Sequence, residues 1–451
     1  MKDKISVALV NAINKNRRYA MNKDLNGGFG TADECGSSLS SKIISLIKWR
    51  SVKVPILSMA FLQALFKEKG YKVKYFESSL LSLTEEFDVI LIYGSIVDYI
   101  NENKIARILK KKFPQSKIGF FGSLPSRFPE LFNGGDFVIL GEAESFFMND
   151  FENVNQLNGS VKVSFMTDLD ALPNPDFDGF PIKEYGYFPC LPKKPFITLQ
   201  ASKGCPYSCR FYCAYGEYQG SKVRQRSPIK VVDDIVHVQK KHGIKSIQFR
   251  DPVFGLTKSF IPDFCNELKK RKIKIDWGME TRLDLLNEDN IKMMFNVGLR
   301  NINVGVETKV HEIAKKNKRL LINEPHQEKI IRYCNKIGVK IAAFYILGYE
   351  GDTVDTIKET LNYSRKINSF VSRFSISTPF PGTGFYTQLN DQNRILTKNF
   401  ELFTLNNLVY QHPNLSSKQA KELLEEAFRK YYFRPIYFLR LLKWKIREFW
   451  L

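Results

Sequence analysis

Short apolar runs alternate with helix-like segments along most of this 451-residue chain, and this alternation limits the possible fold more than any other feature. The runs are nearly continuous, as in the segment VILIY, which is typical of parallel strands that are covered on both faces. In the first third of the chain they occur at residues 5–10, 72–76, 88–93, 117–121 and 136–140. We therefore predict that residues 1–150 form a Rossmann-like α/β domain with a doubly wound sheet.

A proline-rich segment separates this pattern from a second one. Residues 171–181 contain three prolines and no helical period, so we expect a linker over residues 151–190. The alternation then resumes, with predicted strands at residues 196–200, 246–250, 274–278, 301–306, 340–346 and 373–377. The helical patterns between them begin near Pro228, Pro262, Asn287, Pro325 and Thr353. Six β/α units suffice for a partial barrel over residues 191–390 with its site at the C-terminal strand ends, followed by a helical extension over residues 391–451.

The composition narrows the cellular setting. The chain has 68 Lys and Arg against 47 Asp and Glu, a formal charge of +21, which would suit nucleic acid, an anionic membrane surface or an anionic substrate. No RNA-binding motif accompanies the charge, so we expect lysines on solvated helix faces and no nucleic-acid partner. The N-terminus does not resemble a signal peptide, and no apolar run is long enough to cross a bilayer. We therefore expect a cytoplasmic protein.

Three of the seven cysteines are clustered in the segment KGCPYSCRFYCAY, directly after the first predicted barrel strand. They are Cys205, Cys209 and Cys213, and in an intracellular protein such clustering favours metal binding over disulfides. Three thiolates can hold three irons of a 4Fe–4S cluster and leave the fourth iron open for a ligand. Zinc is the rival metal, but no histidine or fourth cysteine lies nearby at zinc spacing.

This segment resembles the cluster loop of the radical S-adenosylmethionine (SAM) superfamily, and the resemblance extends over the barrel. Family members usually have the spacing C-x3-C-x2-C, whereas this chain has C-x3-C-x3-C, with one more residue before Cys213. A loop bulge could absorb the extra residue, with Tyr212 as the aromatic residue on the adenine side. Alternatively, the longer loop has lost catalysis and the chain is a degenerate homologue.

The resemblance also implies a binding site for SAM at the ends of the barrel strands. The segment WGMETR would supply Glu280 and Arg282, whose guanidinium suits the methionine carboxylate. By the same resemblance, Asp251 would face the methionine amino group, Glu307 the ribose hydroxyls and the Gly348 turn the adenine. Each of these residues alone could instead be a surface ion, a cap or an ordinary turn residue.

The first domain resembles the cobalamin-binding domain of one branch of this superfamily, which includes hopanoid-modifying enzymes, the anaerobic bacteriochlorophyll cyclase and phosphorus methylases. The resemblance implies backbone contacts to cobalamin from Gly94, Ser95, Gly141 and Glu142 at strand ends. Because no histidine precedes His237, this domain cannot supply a histidine ligand to cobalt. The alternative is a domain that covers the barrel or binds substrate without cobalamin.

The last residues read as a basic helix with aromatic anchors, in which Lys443 and Lys445 alternate with Leu442, Trp444 and Ile446. Such a helix either lies in a bilayer interface or packs on the barrel. Together with the resemblance, the sequence predicts a radical SAM enzyme that generates a 5′-deoxyadenosyl radical and methylates a small-molecule or lipid substrate with cobalamin. A cobalamin-independent rearrangement or cyclisation is the alternative. An external electron donor of the flavodoxin or ferredoxin type is implied.

Overall fold

The computed structural model describes residues 5–14, 19–78 and 83–449, with side chains of the last helix described as far as Ile446. The first half contains a six-stranded parallel sheet in the order β5-β1-β6-β7-β8-β9. The segment VILIY is its strand β6 and is buried throughout, as expected for a strand covered on both faces. The strands are β1 (Ser6–Ala12), β2 (Met21–Asn22), β3 (Thr31–Ala32), β4 (Val52–Lys53), β5 (Lys72–Ser78), β6 (Val89–Tyr93), β7 (Lys117–Phe121), β8 (Phe137–Leu140) and β9 (Gly159–Lys162).

Helices cover both faces of this sheet, which confirms the predicted doubly wound arrangement. They are α1 (Leu39–Ser51), α2 (Leu57–Glu68), α3 (Tyr99–Lys112), α4 (Ser123–Arg127) and α5 (Ala143–Ser145). Helix α2 is the most deeply buried of them, because nine of its twelve residues face the interior. It lies between the first sheet and the linker, with the Gln63 amide donating to the carbonyls of Asp176 and Asp178.

The segment expected as a linker contains the sixth strand of the sheet, β9, which pairs with β8. Three of its four residues are exposed, so it lacks the apolar run by which the other strands are visible in the sequence. The proline-rich part that follows fastens the two halves of the molecule together. Asp176 and Asp178 accept from Lys67 of α2 and from Lys241 of the second half.

The second half is an open half-barrel built on a six-stranded parallel sheet in the order β11-β14-β15-β16-β17-β18. Its predicted strands are all present, with ends that lie within three residues of the sequence expectation. The strands are β10 (Gly186–Tyr187), β11 (Phe196–Leu199), β12 (Ser202–Lys203), β13 (Arg224–Gln225), β14 (Ser246–Phe249), β15 (Asp276–Thr281), β16 (Leu299–Glu307), β17 (Lys340–Leu347) and β18 (Val371–Ile376).

The five predicted barrel helices begin within two residues of the expected positions, because caps and prolines mark their first turns. Ser227 caps the helix that starts at Pro228, and Asn287 and Thr353 cap two later ones. The helices are α6 (Tyr215–Gln219), α7 (Pro228–His242), α8 (Phe260–Lys270), α9 (Glu288–Asn296), α10 (His311–Lys316), α11 (Glu324–Ile337), α12 (Val354–Ile367) and α13 (Gly384–Asp391). Of these, α6, α10 and α13 were not predicted.

Two further helices, α14 (Ser417–Tyr432) and α15 (Pro435–Phe449), end the chain as expected. Helix α14 packs beside the last barrel strand, where the Tyr432 hydroxyl bonds both backbone groups of Ser372. Among the described residues, none of the helices combines the length and apolarity that crossing a membrane requires.

Candidate functional site

The cysteine loop leaves the end of β11 and is closed by a short ribbon of β12 and β13. At its base the N–H of Cys205 donates to the carbonyl of Gly220 at 3.0 Å. Gly204, at φ +89°, lies so close to Lys222 that a Cβ would sit 2.0 Å from its carbonyl oxygen. Only glycine fits this position, so Gly204 determines how the backbone enters the loop.

A single turn accommodates the extra residue of the C-x3-C-x3-C spacing. Residues Ser208–Phe211 form a 3-10 turn, and the N–H of Cys213 bonds the carbonyl of Cys209 at 2.9 Å. This turn brings the Cys209 and Cys213 thiols close enough to affect each other's pKa. The longer spacing is therefore compatible with cysteines that converge.

The three thiols line one cavity of about 250 Å³ at the C-terminal ends of the barrel strands. The interaction with Cys213 and the nearby Arg319 guanidinium lower the pKa of Cys209 to about 6. The same interaction raises the pKa of Cys213, and burial raises that of Cys205. A thiolate is the form that binds iron. Among the described residues that line this cavity there is no fourth cysteine and no histidine. Such a set of three thiols fits a 4Fe–4S cluster with an open iron.

Arg282 lies at the rim of this cavity and is partly paired. Its Nε and Nη2 donate to the two carboxylate oxygens of Asp284 at 3.0 and 2.9 Å, and its guanidinium stacks 4.2 Å from the ring of Tyr207. Its third nitrogen, Nη1, is buried without a partner in the described part of the chain. A buried N–H without a partner is costly, so a ligand carboxylate would fit here.

Glu280 belongs to a buried polar network beside Arg282. It forms an ion pair with Arg250, and it accepts from the Tyr215 hydroxyl at 3.2 Å and from the Asn303 amide at 3.4 Å. Arg250 also donates to the hydroxyl of Tyr215 at 2.9 Å. The carboxylate is held in place by three side chains from different elements.

Glu307 and Tyr212 approach each other across the cavity. Glu307 has φ +69° at a bulge in β16, and its carboxylate faces Arg319 at 3.8 Å and the Tyr349 hydroxyl at 3.4 Å. Burial raises the pKa of Glu307. The rings of Tyr212 and Tyr349 lie 5.2 Å apart at their centroids. Tyr212 and Glu307 both line the cavity.

Asp251 and Gly348 are not among the residues that line this cavity. Asp251 is fully buried, and its carboxylate accepts from the Ala201 N–H at 2.9 Å and the Ser202 hydroxyl at 2.6 Å. It therefore holds the start of the cysteine loop against β14. Gly348 makes a turn at φ +74°, and its carbonyl accepts from Tyr410.

A second cavity, of about 550 Å³, lies between the first sheet and the cysteine loop. The last residue of β6 and the turns that follow β7 and β8 form one wall, and a segment with Gly27 and Gly28 forms another. A Cβ on Gly28 would sit 2.4 Å from the Ser123 hydroxyl and 2.9 Å from the Tyr93 hydroxyl. Gly28 therefore lets its segment pack directly on the ends of β6 and β7, which form part of the cavity wall.

The structure brings two of the four predicted cobalamin contacts to this second cavity. Gly141 and Glu142 line it, and Glu142 is fixed there by both Nη atoms of Arg224 at 2.8 and 2.9 Å. Gly94 and Ser95 do not line it. A Cβ on Gly94 would meet the Pro125 ring, and the N–H and hydroxyl of Ser95 are both taken by Glu102.

Arg250 and Tyr215 line both cavities and form part of the wall between them. Sequence motifs did not single them out as site residues, and neither did they indicate Arg319. One signal was available for Arg250, which directly follows a strand end at which functional residues collect in such barrels.

The structure places three cysteine thiols in one cavity at the strand ends of an open β/α half-barrel, an arrangement that fits a 4Fe–4S cluster with an open iron. The profile of the Radical SAM superfamily matches residues 199–364, which span the cysteine loop and four of the six strands of the barrel. Residues 199–364 are therefore a radical SAM domain.

Relatives extend the likeness beyond the barrel. An uncharacterized methyltransferase of Pyrococcus horikoshii is 25% identical over 320 residues, covering 66% of this chain and 68% of its own length. The anaerobic magnesium-protoporphyrin IX monomethyl ester cyclase of Rubrivivax gelatinosus is 26% identical over 267 residues, so that 58% of this chain matches 46% of the cyclase. Among solved structures, the radical enzyme OxsB, with aqua-cobalamin and SAM bound, has a TM-score of 0.66 over 94% of this chain and 66% of its own, at 17% identity. That structure shares both domains of the fold.

Proposed function

We propose that this chain is a cobalamin-dependent radical SAM enzyme that methylates a carbon of a small-molecule or lipid substrate. The observation that carries the proposal is the pair of cavities that share the wall of Arg250 and Tyr215. A methyl carrier in one cavity and a radical source in the other could both reach a substrate at this wall. The names of the relatives, which include methyltransferases and a cobalamin-dependent enzyme, support the same assignment.

We assign the barrel cavity to the cluster and SAM. When bound, a 4Fe–4S cluster supplies the electron that cleaves SAM to a 5′-deoxyadenosyl radical. Cys205, Cys209 and Cys213 would hold it. Arg282 would take the methionine carboxylate with its free Nη1, because this nitrogen is already aimed and desolvated. Glu280 would accept from the methionine amino group.

The far side of the same cavity suits the nucleoside of SAM. Glu307 would accept from the ribose hydroxyls, and Tyr212 would pack on the adenine. Arg319 compensates the buried charge of Glu307 and keeps it available as an acceptor. Asp251 is assigned to positioning the loop, through its bonds to Ala201 and Ser202.

We assign the second cavity to cobalamin, which would supply the methyl group. The Ser58 hydroxyl of α2 lines this cavity and is buried without a partner in the described residues, so a polar ligand group would satisfy it. None of the residues lining the cavity is a histidine. The chain would therefore hold cobalamin here without a histidine from the cavity wall, and Leu57 and Phe61 would offer it apolar contacts.

The chain would work with further partners in the cytoplasm. An external electron donor of the flavodoxin or ferredoxin type would reduce the cluster, as enzymes of this superfamily use an electron donor. Peripheral contact of α15 with a membrane belongs to the same proposal, since apolar side chains of this helix, such as Leu439 and Leu442, are exposed.

Cobalamin loading tests this proposal directly. Protein produced with ample hydroxocobalamin should retain corrinoid absorption after desalting, in addition to the absorption of its cluster. A control preparation of the triple variant of Cys205, Cys209 and Cys213 to alanine should keep the corrinoid and lose the iron. A chain that emerges with an intact cluster and no corrinoid would contradict the methylation proposal and leave the cobalamin-independent rearrangement or cyclisation, for which the cyclase relative provides the precedent.

A further inference from the structure

Two helices from opposite ends of the chain leave apolar faces exposed to solvent. Leu39 of α1 is 76% exposed, and Ile436 and Leu439 of α15 are 62% and 58% exposed. Twelve of the 21 large apolar side chains that are exposed among the described residues belong to these helices or lie next to them. They are Leu39, Ile43, Leu46, Ile47 and Trp49 of α1, Phe188 and Phe433, and Ile436, Phe438, Leu439, Leu442 and Ile446 of α15. So strong a concentration marks an interaction surface.

Both helices pack on the protein through one face, so the opposite face of each helix is the one exposed to solvent. In α15 the Trp444 ring lies 5.2 Å from Phe370, and the Tyr437 hydroxyl donates to the Phe370 carbonyl. In α1 the ammonium group of Lys48 lies 5.0 Å above the ring of Phe428 in α14. The exposed apolar side chains therefore belong to helices that are packed on the rest of the protein.

The two faces adjoin at Phe188. Its N–H donates to the carbonyl of Ser51 at the end of α1, and its ring lies 6.3 Å from that of Trp444 in α15. Helix α14 touches both helices, through Phe428 on one side and through the packing of Tyr431 on Tyr437 on the other. The exposed side chains therefore form one surface, which we call the two-helix surface.

Cations accompany the apolar side chains on this surface. Helix α1 contains Lys42, Lys48 and Arg50 and no acidic residue, and Lys42 and Arg50 are exposed. From Pro435 to Ile446, α15 contains Arg440, Lys443 and Lys445 and no acidic residue. A basic helix with Trp and Leu on its apolar face is the pattern of helices that lie in a bilayer interface.

We propose that the two-helix surface docks this protein on an anionic lipid bilayer, with α1 and α15 lying in the headgroup region. A second copy of the chain is a poorer occupant, because a twofold contact would set exposed cations such as Arg50 and Lys443 of one copy against those of the other. An anionic bilayer takes up both the apolar side chains and the positive charge. This inference extends the single-helix contact proposed above and depends on neither cobalamin nor methylation.

Flotation of the full chain with lipid vesicles tests the proposal. The protein should float with vesicles of phosphatidylcholine mixed with phosphatidylglycerol, bind phosphatidylcholine alone much more weakly, and be released by salt. Each of the pairs Leu439→Glu with Leu442→Glu and Ile43→Glu with Ile47→Glu should weaken binding at least about tenfold, because buried apolar area is lost. Changing Lys42, Arg50, Lys443 and Lys445 to Gln should remove the preference for the anionic vesicles.

A matched control uses exposed apolar side chains elsewhere. The pair Ile229→Glu with Leu396→Glu changes residues that are 55% and 58% exposed, and it should float like the wild type. Circular dichroism and iron content check that every variant is folded. Three results would overturn the proposal: wild-type protein that does not float, α1 or α15 pairs that float like the control, or a wild-type dimer in light scattering that the same pairs dissociate.

Discussion

Replacing Arg282 by alanine is expected to weaken SAM binding by about 1.5–3 kcal/mol, the usual contribution of one hydrogen bond to a charged group. The structure limits the effect to one such bond. Two of the three guanidinium nitrogens are taken by Asp284 at 2.9 and 3.0 Å, and Nη1 alone is buried without a partner among the described residues. The dissociation constant should therefore rise about 10- to 150-fold.

Isothermal calorimetry on anaerobically reconstituted protein measures this change. Arg300→Ala is the matched control, because Arg300 also faces an aspartate, Asp276 at 3.6 Å, but does not line the barrel cavity. Arg282→Lys should recover only part of the affinity, since an ammonium group cannot bond Asp284 bidentately and a ligand at the same time. Equal affinity of the wild type and Arg282→Ala, with iron content unchanged, would remove Arg282 from the site.

Three further predictions concern the cluster cysteines, Ser58 in the second cavity and Asp251. The reconstituted wild type should carry about four irons per chain. The triple Cys→Ala variant at positions 205, 209 and 213 should lose this iron, whereas the control Cys334→Ala should keep it. Equal iron content in all three proteins would refute the cluster assignment. Ser58→Phe should fill part of the second cavity and reduce corrinoid retention, whereas Ser58→Ala should keep most of it, and full retention by both would move cobalamin elsewhere. Burial raises the pKa of Asp251 to about 7. Between about pH 4 and about pH 7 this carboxyl is therefore protonated in the folded state and ionised in the unfolded state. The stability of the wild type consequently falls as the pH rises through this range. The Asp251→Asn variant does not lose stability in this way. In urea titrations its free energy of unfolding relative to wild type should therefore increase by about 2–3 kcal/mol between about pH 5 and about pH 8. A difference in unfolding free energy that stays constant with pH would show that the carboxyl is not buried as described.

The sequence was most informative about elements whose residues share one environment. The sequence predicts β7 with the same ends as the structure, because four of the five residues of KIGFF are buried. Strand β9 was missed, since it is an exposed edge strand of GSVK without apolar periodicity. The apolar periodicity of a sequence reflects which residues are buried, so it does not reveal a strand whose residues are mostly exposed.

Side-chain direction at strand ends was harder to predict. Ser95 follows β6 as expected, but Glu102 of α3 captures its hydroxyl and N–H, and nothing in the motif indicates this contact. Asp251 likewise follows β14 and turns to Ser202, whereas its neighbour Arg250 points into both cavities. Neighbouring residues at a strand end point in opposite directions, so a difference of one position decides which of them reaches a ligand.

Anaerobic incubation with SAM and a strong reductant tests the central claim most directly, with both products followed by mass spectrometry. The two-cavity account predicts that cobalamin-loaded protein forms 5′-deoxyadenosine, the product of homolytic cleavage, together with S-adenosylhomocysteine, the product of methyl donation. The triple cysteine variant should form no 5′-deoxyadenosine. Formation of 5′-deoxyadenosine without S-adenosylhomocysteine by loaded wild-type protein would contradict methylation, and formation of neither would contradict a catalytic role for the cysteine loop.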